Sequence, residues 1–169
     1  MKKVLIVVVA IVVILAALFF IPKEIVVERS AVIDASVEEL QPQMTDFNNF
    51  QTWSPWAEMD PKATYEFKGT QGAVGAEMSW AGNEEVGTGT QKVTAIAADR
   101  IDLSLVFTAP WESTSAVYYT FKPAEGGTEV TWGYKGEMGM LMSFFINMDE
   151  MLGGTYEKGL ATLKTKMEK

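Results

Sequence analysis

Residues 101–136, IDLSLVFTAPWESTSAVYYTFKPAEGGTEVTWGYKG, decide the fold. In 101–108, Ile101, Leu103, Leu105 and Phe107 fall opposite Asp102 and Ser104. In 114–122, Val117, Tyr119 and Phe121 oppose Thr120 and Lys122; in 127–136, Val130, Trp132 and Tyr134 oppose Glu129, Thr131 and Lys135. A period of two is that of a strand with one face in a core. Ala109–Glu112 and Glu125-Gly126-Gly127 are long enough only for hairpin turns, so the three runs are antiparallel neighbours.

The same pattern extends towards the N-terminus. Run 63–68 sets Tyr65 and Phe67 against Glu66 and Lys68; run 73–81 sets Val74, Ala76, Met78 and Trp80 against Glu77 and Ser79; run 87–97 follows. Gly69–Gly72, Gly82-Asn83 and Asp99-Arg100 punctuate them. Six short strands joined by brief turns make an antiparallel meander. Before it, Glu24–Asp34 (EIVVERSAVID) is rich in β-branched residues and reads as a further strand. Ser36, with Glu39 three residues on, is a capping box that opens a helix shortened by Pro42. Asp46-Phe47-Asn48-Asn49 starts a second short helix, expected to end at Ser54-Pro55.

After the meander, Met148–Lys169 is helical, with Met148, Leu152, Thr155, Gly159 and Leu163 on one stripe and Met151, Tyr156, Leu160 and Met167 flanking it. Gly153, Gly154 and Gly159 imply either close helix–sheet contact or room left for a ligand. The class is α+β: a curved seven-stranded antiparallel sheet, its concave side closed by one long C-terminal helix.

Val4–Ile21 (VLIVVVAIVVILAALFFI) has no charged or polar side chain over 18 residues, about 27 Å as a helix. Residues 1–22 are expected to be an uncleaved transmembrane anchor in the cytoplasmic membrane, with residues 23–169 one domain outside it. Lys2 and Lys3 favour a cytoplasmic N-terminus, which Lys23 weakens slightly. A cleaved signal peptide is the alternative, but Ile14 and Leu15 stand where a cleavage site before Ala16 or Ala17 needs small residues.

The composition removes several chemistries. There is no cysteine and no histidine, so thiol catalysis, thiolate metal sites and His-based triads are excluded, and neither a metal nor a cofactor is expected. Net charge is −8, and no Lys/Arg run occurs beyond the N-terminus, which argues against nucleic-acid binding. Gly69, Gly72 and Gly75 read as turn glycines; no Lys-Ser/Thr follows to make a phosphate loop.

Several stretches resemble one family. VERSAVIDASVEEL looks like the opening strand and first helix of polyketide cyclase/dehydrase-like proteins, and DFNNFQTWSPWAEMDP is the most specific piece. GAVGAEMSWAGNEEVGTGTQKV, GGTEVTWGYKGE and MDEMLGGTYEKGLATLK are similar to later strands and the closing helix. Together they resemble the START/polyketide cyclase-dehydrase-like (SRPBCC) superfamily. The resemblance implies the helix-grip fold, in a superfamily that holds lipid and sterol carriers, hormone receptors and aromatic cyclases.

The inner face read from alternation carries no carboxylate or cation between Tyr65 and Tyr134. A cavity there would be apolar and aromatic, with tyrosine hydroxyls and indole N–H groups to orient a ligand. No catalytic residue is assigned. The candidate ligand-binding residues are Tyr65, Trp80, Phe107, Tyr119, Trp132 and Tyr134, each of which either lines a cavity or fills a core. Trp53 is a candidate rim or lid, Trp56 a staple of its loop, and Trp111 a second rim residue. Arg29 either meets a ligand's carboxylate or phosphate or pairs with an acid at the sheet edge. Met138, Met140, Met142, Met148, Phe144 and Phe145 form an adaptable apolar stretch or a packed connection.

Three functions follow. The first is non-catalytic binding of a small hydrophobic molecule or lipid by a membrane-anchored domain. The second is a cyclase or dehydratase. The third is a protein-interaction module with a filled core, its partner unknown.

Overall fold

Pro22 ends an apolar helix and begins the sheet. A computed structural model describes residues 2–168, with α1 at Lys2–Phe20 and β1 at Pro22–Ile33. Three short helices follow: α2 (Val37–Thr45), α3 (Phe47–Gln51) and α4 (Pro55–Met59). Then come β2 (Thr64–Lys68), β3 (Glu77–Ala81), β4 (Thr88–Ile96), β5 (Arg100–Ala109), β6 (Ser113–Ala124) and β7 (Gly127–Gly139). A 3-10 turn at Met142–Phe144 leads into α5 (Met148–Met167). The strands form one antiparallel seven-stranded sheet in the order β1-β7-β6-β5-β4-β3-β2. This is the helix-grip arrangement.

The local signals act as expected at Ser36. Its hydroxyl accepts from the Glu39 N–H, and its own N–H donates to Glu39 Oε2 at 2.9 Å. Two expected element boundaries need correction. Ser54-Pro55 does not close a helix but opens α4, because a proline at the first helical position lacks only an N–H that has no partner there. The strand expected over 73–81 begins at Glu77; Gly69, Gly72 and Gly75 have φ of +74°, +83° and +93° and hold a turn that leaves Val74 exposed.

α5 runs along edge strand β1 and over the concave face. Lys164 Nζ donates to Val32 O at 2.7 Å, and Asp34 N–H donates to Glu168 Oε1 at 3.0 Å. Its buried residues are Gly153, Tyr156, Gly159, Leu160 and Leu163. The buried stripe is therefore rotated from the expected one, with Met151 in solvent. The three glycines separate by role. Gly153 lies against the Arg29 guanidinium and Gly159 against Trp132, while a side chain at Gly154 would meet nothing within 4 Å. Gly154→Ala is therefore expected to stabilise the fold by about 0.5–1 kcal/mol, read as a higher chemical-denaturation midpoint.

On the convex face, Tyr118 lies flat across Gly133 of β7, where a Cβ would overlap its ring. Its hydroxyl donates to Glu28 Oε1 at 2.6 Å, and Arg100 sits over the ring at 4.4 Å. Burial, then the hydrogen bond to Glu28, pushes this hydroxyl up to about 12. A group whose folded pKa is raised adds stability that is complete below its unfolded value. That stability is lost as pH rises through the folded value. Tyr118 should thus lose its contribution between about pH 10 and about 12. A Tyr118→Phe variant should lack that part of the alkaline slope in urea midpoints measured against pH.

Candidate functional site

The centre of the grip is built from rings. Tyr119 of β6 and Trp132 of β7 are directly paired across the sheet and point to the concave side with Val117, Phe121 and Val130. From above, α5 lays Tyr156 on Trp132 at 4.1 Å with an interplanar angle of 6°. Gly159 allows this approach: a Cβ there would stand 2.8 Å from Trp132 Cζ3. α3 and the residues around α4 supply Phe47, Phe50, Trp53 and Trp56. Trp53 meets Trp132 edge-on at 5.2 Å, Phe50 at 4.9 Å and Tyr119 at 6.5 Å; Trp56 meets Trp132 at 5.5 Å.

This is a solid aromatic plug at the level of Trp132. Trp53 is no rim residue: it is buried, and its Nε1–H donates to Gln43 O at 3.0 Å. Trp56 is the staple, half-buried against Trp132 and Tyr156. Trp132 Nε1 is buried without a partner among the described residues. The Tyr119 hydroxyl is pushed well up by burial and so stays a neutral phenol.

A second set of rings fills the far half of the sheet. Trp80 packs on Gly89, meets Phe107 edge-on at 5.3 Å and donates from Nε1 to Val86 O at 3.2 Å. Tyr65 is half-buried beside it, its hydroxyl buried without a partner among the described residues; desolvation, then the charge of Asp60, raises its pKa. An open recess of ≈ 370 Å³ lies on the outer face of the same strands, among Thr64, Glu66, Ser79, Ala81, Thr88 and Thr90.

The larger space is at the other side, next to the end of α1. An open groove of ≈ 500 Å³ runs between Lys23–Val27 of β1 and residues 143–149. Ile25, Val27, Phe144, Ile146 and Met148 give it apolar surface, and Lys23, Glu24, Ser143, Asn147 and Asp149 line it with at least as much polar surface. Tyr134, paired with Val27 across the sheet, is half-buried nearby.

Arg29 is on edge strand β1, paired with acids of α5. Its Nε donates to Glu157 Oε1 at 2.6 Å, and Nη1 and Nη2 donate to Asp149 Oδ1 and Oδ2 at 2.8 and 2.9 Å. Asp149, Gly153 and Glu157 are spaced i, i+4, i+8, so they share one helix face. The two acids flank the glycine on which the guanidinium rests. Arg29 holds the Asp149 carboxyl below the usual carboxylate range. The spacing was legible in the sequence, but its partner strand was not. Trp111 is 79 % exposed in the turn between β5 and β6.

The structure thus brings Trp53, Tyr119 and Trp132 together in the plug, and Tyr65, Trp80 and Phe107 together in the second cluster. Tyr134 packs half-buried against the core, while Arg29 and Trp111 stand apart from both clusters. The groove wall residues Ile25, Val27 and Ile146 were not singled out from sequence; the neighbouring Met-Phe run was the available signal.

The fold is shared by solved structures of low identity. A Chromobacterium violaceum protein, CV1439, is 14 % identical with a TM-score of 0.62, covering 85 % of this chain and 97 % of that one. Aha1 from Colwellia psychrerythraea, solved as a dimer, is 17 % identical with a TM-score of 0.61, covering 85 % and 96 %. Ginseng major latex-like protein 151 from Panax ginseng is 9 % identical with a TM-score of 0.58, covering 86 % and 97 %. No curated protein matches in sequence. The family model for polyketide cyclase / dehydrase and lipid transport matches residues 24–168, nearly everything after α1, and the chain belongs to that family.

Proposed function

We propose that this protein binds an amphiphilic, lipid-like molecule without chemistry, in the groove between β1 and residues 143–149, and that α1 holds it at a membrane. The observation that carries the reading is the groove itself. Its lining is mixed, with apolar side chains from Ile25, Phe144, Ile146 and Met148 beside polar and charged ones, as an amphiphile needs; it has room for an acyl chain or a small ring system and opens beside the end of the apolar helix. The plug supports placing the ligand there, because Tyr156 and Trp53 occupy the space over Trp132. α1 is 19 residues long and presents its apolar side chains outward rather than to the domain, as a helix in lipid does. A signal sequence shares those properties; the contacts of residues 139–141 with Phe19, Leu18 and Ile21 favour a helix that stays.

Binding is favoured over catalysis because both acids that line the groove are held in ion pairs, Asp149 with Arg29 and Glu24 with Lys135. A second reading, a protein-interaction module, draws support from the filled centre of the grip.

The test uses the full chain in nanodiscs with a photoactivatable benzophenone fatty acid, the cross-links being mapped by mass spectrometry. Labelling is expected on peptides covering 23–27 and 143–148. It should fall several-fold when half-buried Ile25 and Ile146 are changed to Trp. Labelling confined to α1, with both groove peptides bare, would overturn the proposal in favour of the interaction module.

A further inference from the structure

We propose that the end of the domain next to α1 lies on the lipid surface, with Phe144, Phe145 and Trp111 inserted at interfacial depth. The inference rests on α1 crossing the membrane and is independent of whether the groove holds a ligand.

The strand registers bring these residues to one end of the sheet. Pro22, the first residue of β1, pairs with Gly139, the last of β7. Lys135 of β7 pairs with Ala116, so Ser113, at the start of β6, is level with the end of β7. Phe107 pairs with Ser113, so the turn bearing Trp111 closes the same end. The segment after β7 also closes it. There Phe144 is 75 % and Phe145 78 % exposed. Three large rings standing in water at one end of a net-acidic domain are unusual unless that end meets an apolar partner.

Contact with α1 identifies the partner. The Met140 N–H donates to Ile21 O at 2.7 Å, and the Leu141 N–H donates to Leu18 O at 3.3 Å. Gly139 lies against the Phe19 carbonyl so closely that a Cβ would overlap it. Leu18 is inside the apolar helix, not beyond its end. A backbone bonded to Leu18 shares its depth to within one side-chain length. If α1 spans a bilayer, residues 140–145 are therefore at the boundary of headgroups and acyl chains.

Aromatic rings are favoured at that depth. Lys23 Nζ, 6.0 Å from the Phe144 ring centroid, can run its stem along the ring and reach lipid phosphate. Docking would come from inserted rings and not from a basic patch, since Glu112, Glu24 and Glu137 share this end. Glu125 marks the opposite end, in the turn between β6 and β7.

The chain has no cysteine, so a nitroxide goes only where one is introduced. Full-length Phe144→Cys, Phe145→Cys, Trp111→Cys, Val12→Cys and Glu125→Cys would each be spin-labelled in phosphatidylcholine vesicles. Collision with oxygen and with an aqueous nickel complex then reports depth. Expected are a label at 12 in the hydrocarbon, labels at 144, 145 and 111 shielded from nickel, and a label at 125 in water. If 12 is buried but 144, 145 or 111 meets nickel as freely as 125, the docked face is wrong while the anchor stands. If 12 itself is in water, the anchor fails and the docked face fails with it.

Discussion

Trp132→Ala is expected to destabilise the fold by about 3–5 kcal/mol, the cost of deleting a buried large aromatic. Trp132 is 1 % exposed and is the common neighbour of Phe50, Trp53, Trp56, Tyr119 and Tyr156. Five rings cannot all collapse into the void, because Tyr156 is fixed on α5 and Tyr119 on β6. The loss should therefore sit near the top of the range, measured as urea unfolding of the full chain in detergent micelles. The void would be apolar and flat. Added indole should fill it and raise the variant's midpoint while leaving the parent unchanged. An unchanged midpoint in Trp132→Ala would mean that the plug is loosely packed.

Gly159→Leu should destabilise the fold by about 2 kcal/mol net, although it puts a better helix former on α5. Even a Cβ at this position would be 2.8 Å from Trp132 Cζ3 and 3.2 Å from Pro55 Cδ. Helix propensity would favour the change by about 1 kcal/mol, but overpacking a filled core commonly costs 1–3 kcal/mol and here involves two rigid rings. Trp132→Phe removes the ring edge that the new side chain would strike. A double-mutant cycle of Gly159→Leu with Trp132→Phe should show the pair losing less than the sum of the single changes. Strict additivity would place the clash elsewhere.

The sheet was legible because its signal is local. The alternation in 101–108, 114–122 and 127–136 matches β5, β6 and β7, and the buried residues Ile101, Leu103, Val117, Tyr119, Phe121, Val130 and Trp132 share the predicted face. The Ser36–Glu39 box was legible for the same reason. Distance in sequence hid the remainder. Arg29 and Asp149 are 120 residues apart, and no local pattern indicates that they meet. Trp53 and Trp111 look alike as aromatics within two residues of a proline, yet one is sealed in the plug and the other is in solvent. The depth of α5 over the sheet settled where open space remains. That depth is set by Gly159 against Trp132, a tertiary fact.

The register of β1 also has a consequence for the time course of assembly. All twelve residues of β1, the first strand made, pair with β7, the last. Residues 34–126 must be synthesised while β1 waits, about 5–20 s at ordinary elongation rates. During that interval a β-branched strand with no strand partner is tethered directly behind the apolar helix. Long-range pairing of this kind is slow and leaves strand edges open to wrong partners. Commitment to the fold thus belongs to the C-terminal third. A chain stalled before Gly127 would carry α1 and strands β1–β6 but leave β1 without its partner strand, and would be a substrate for proteolysis.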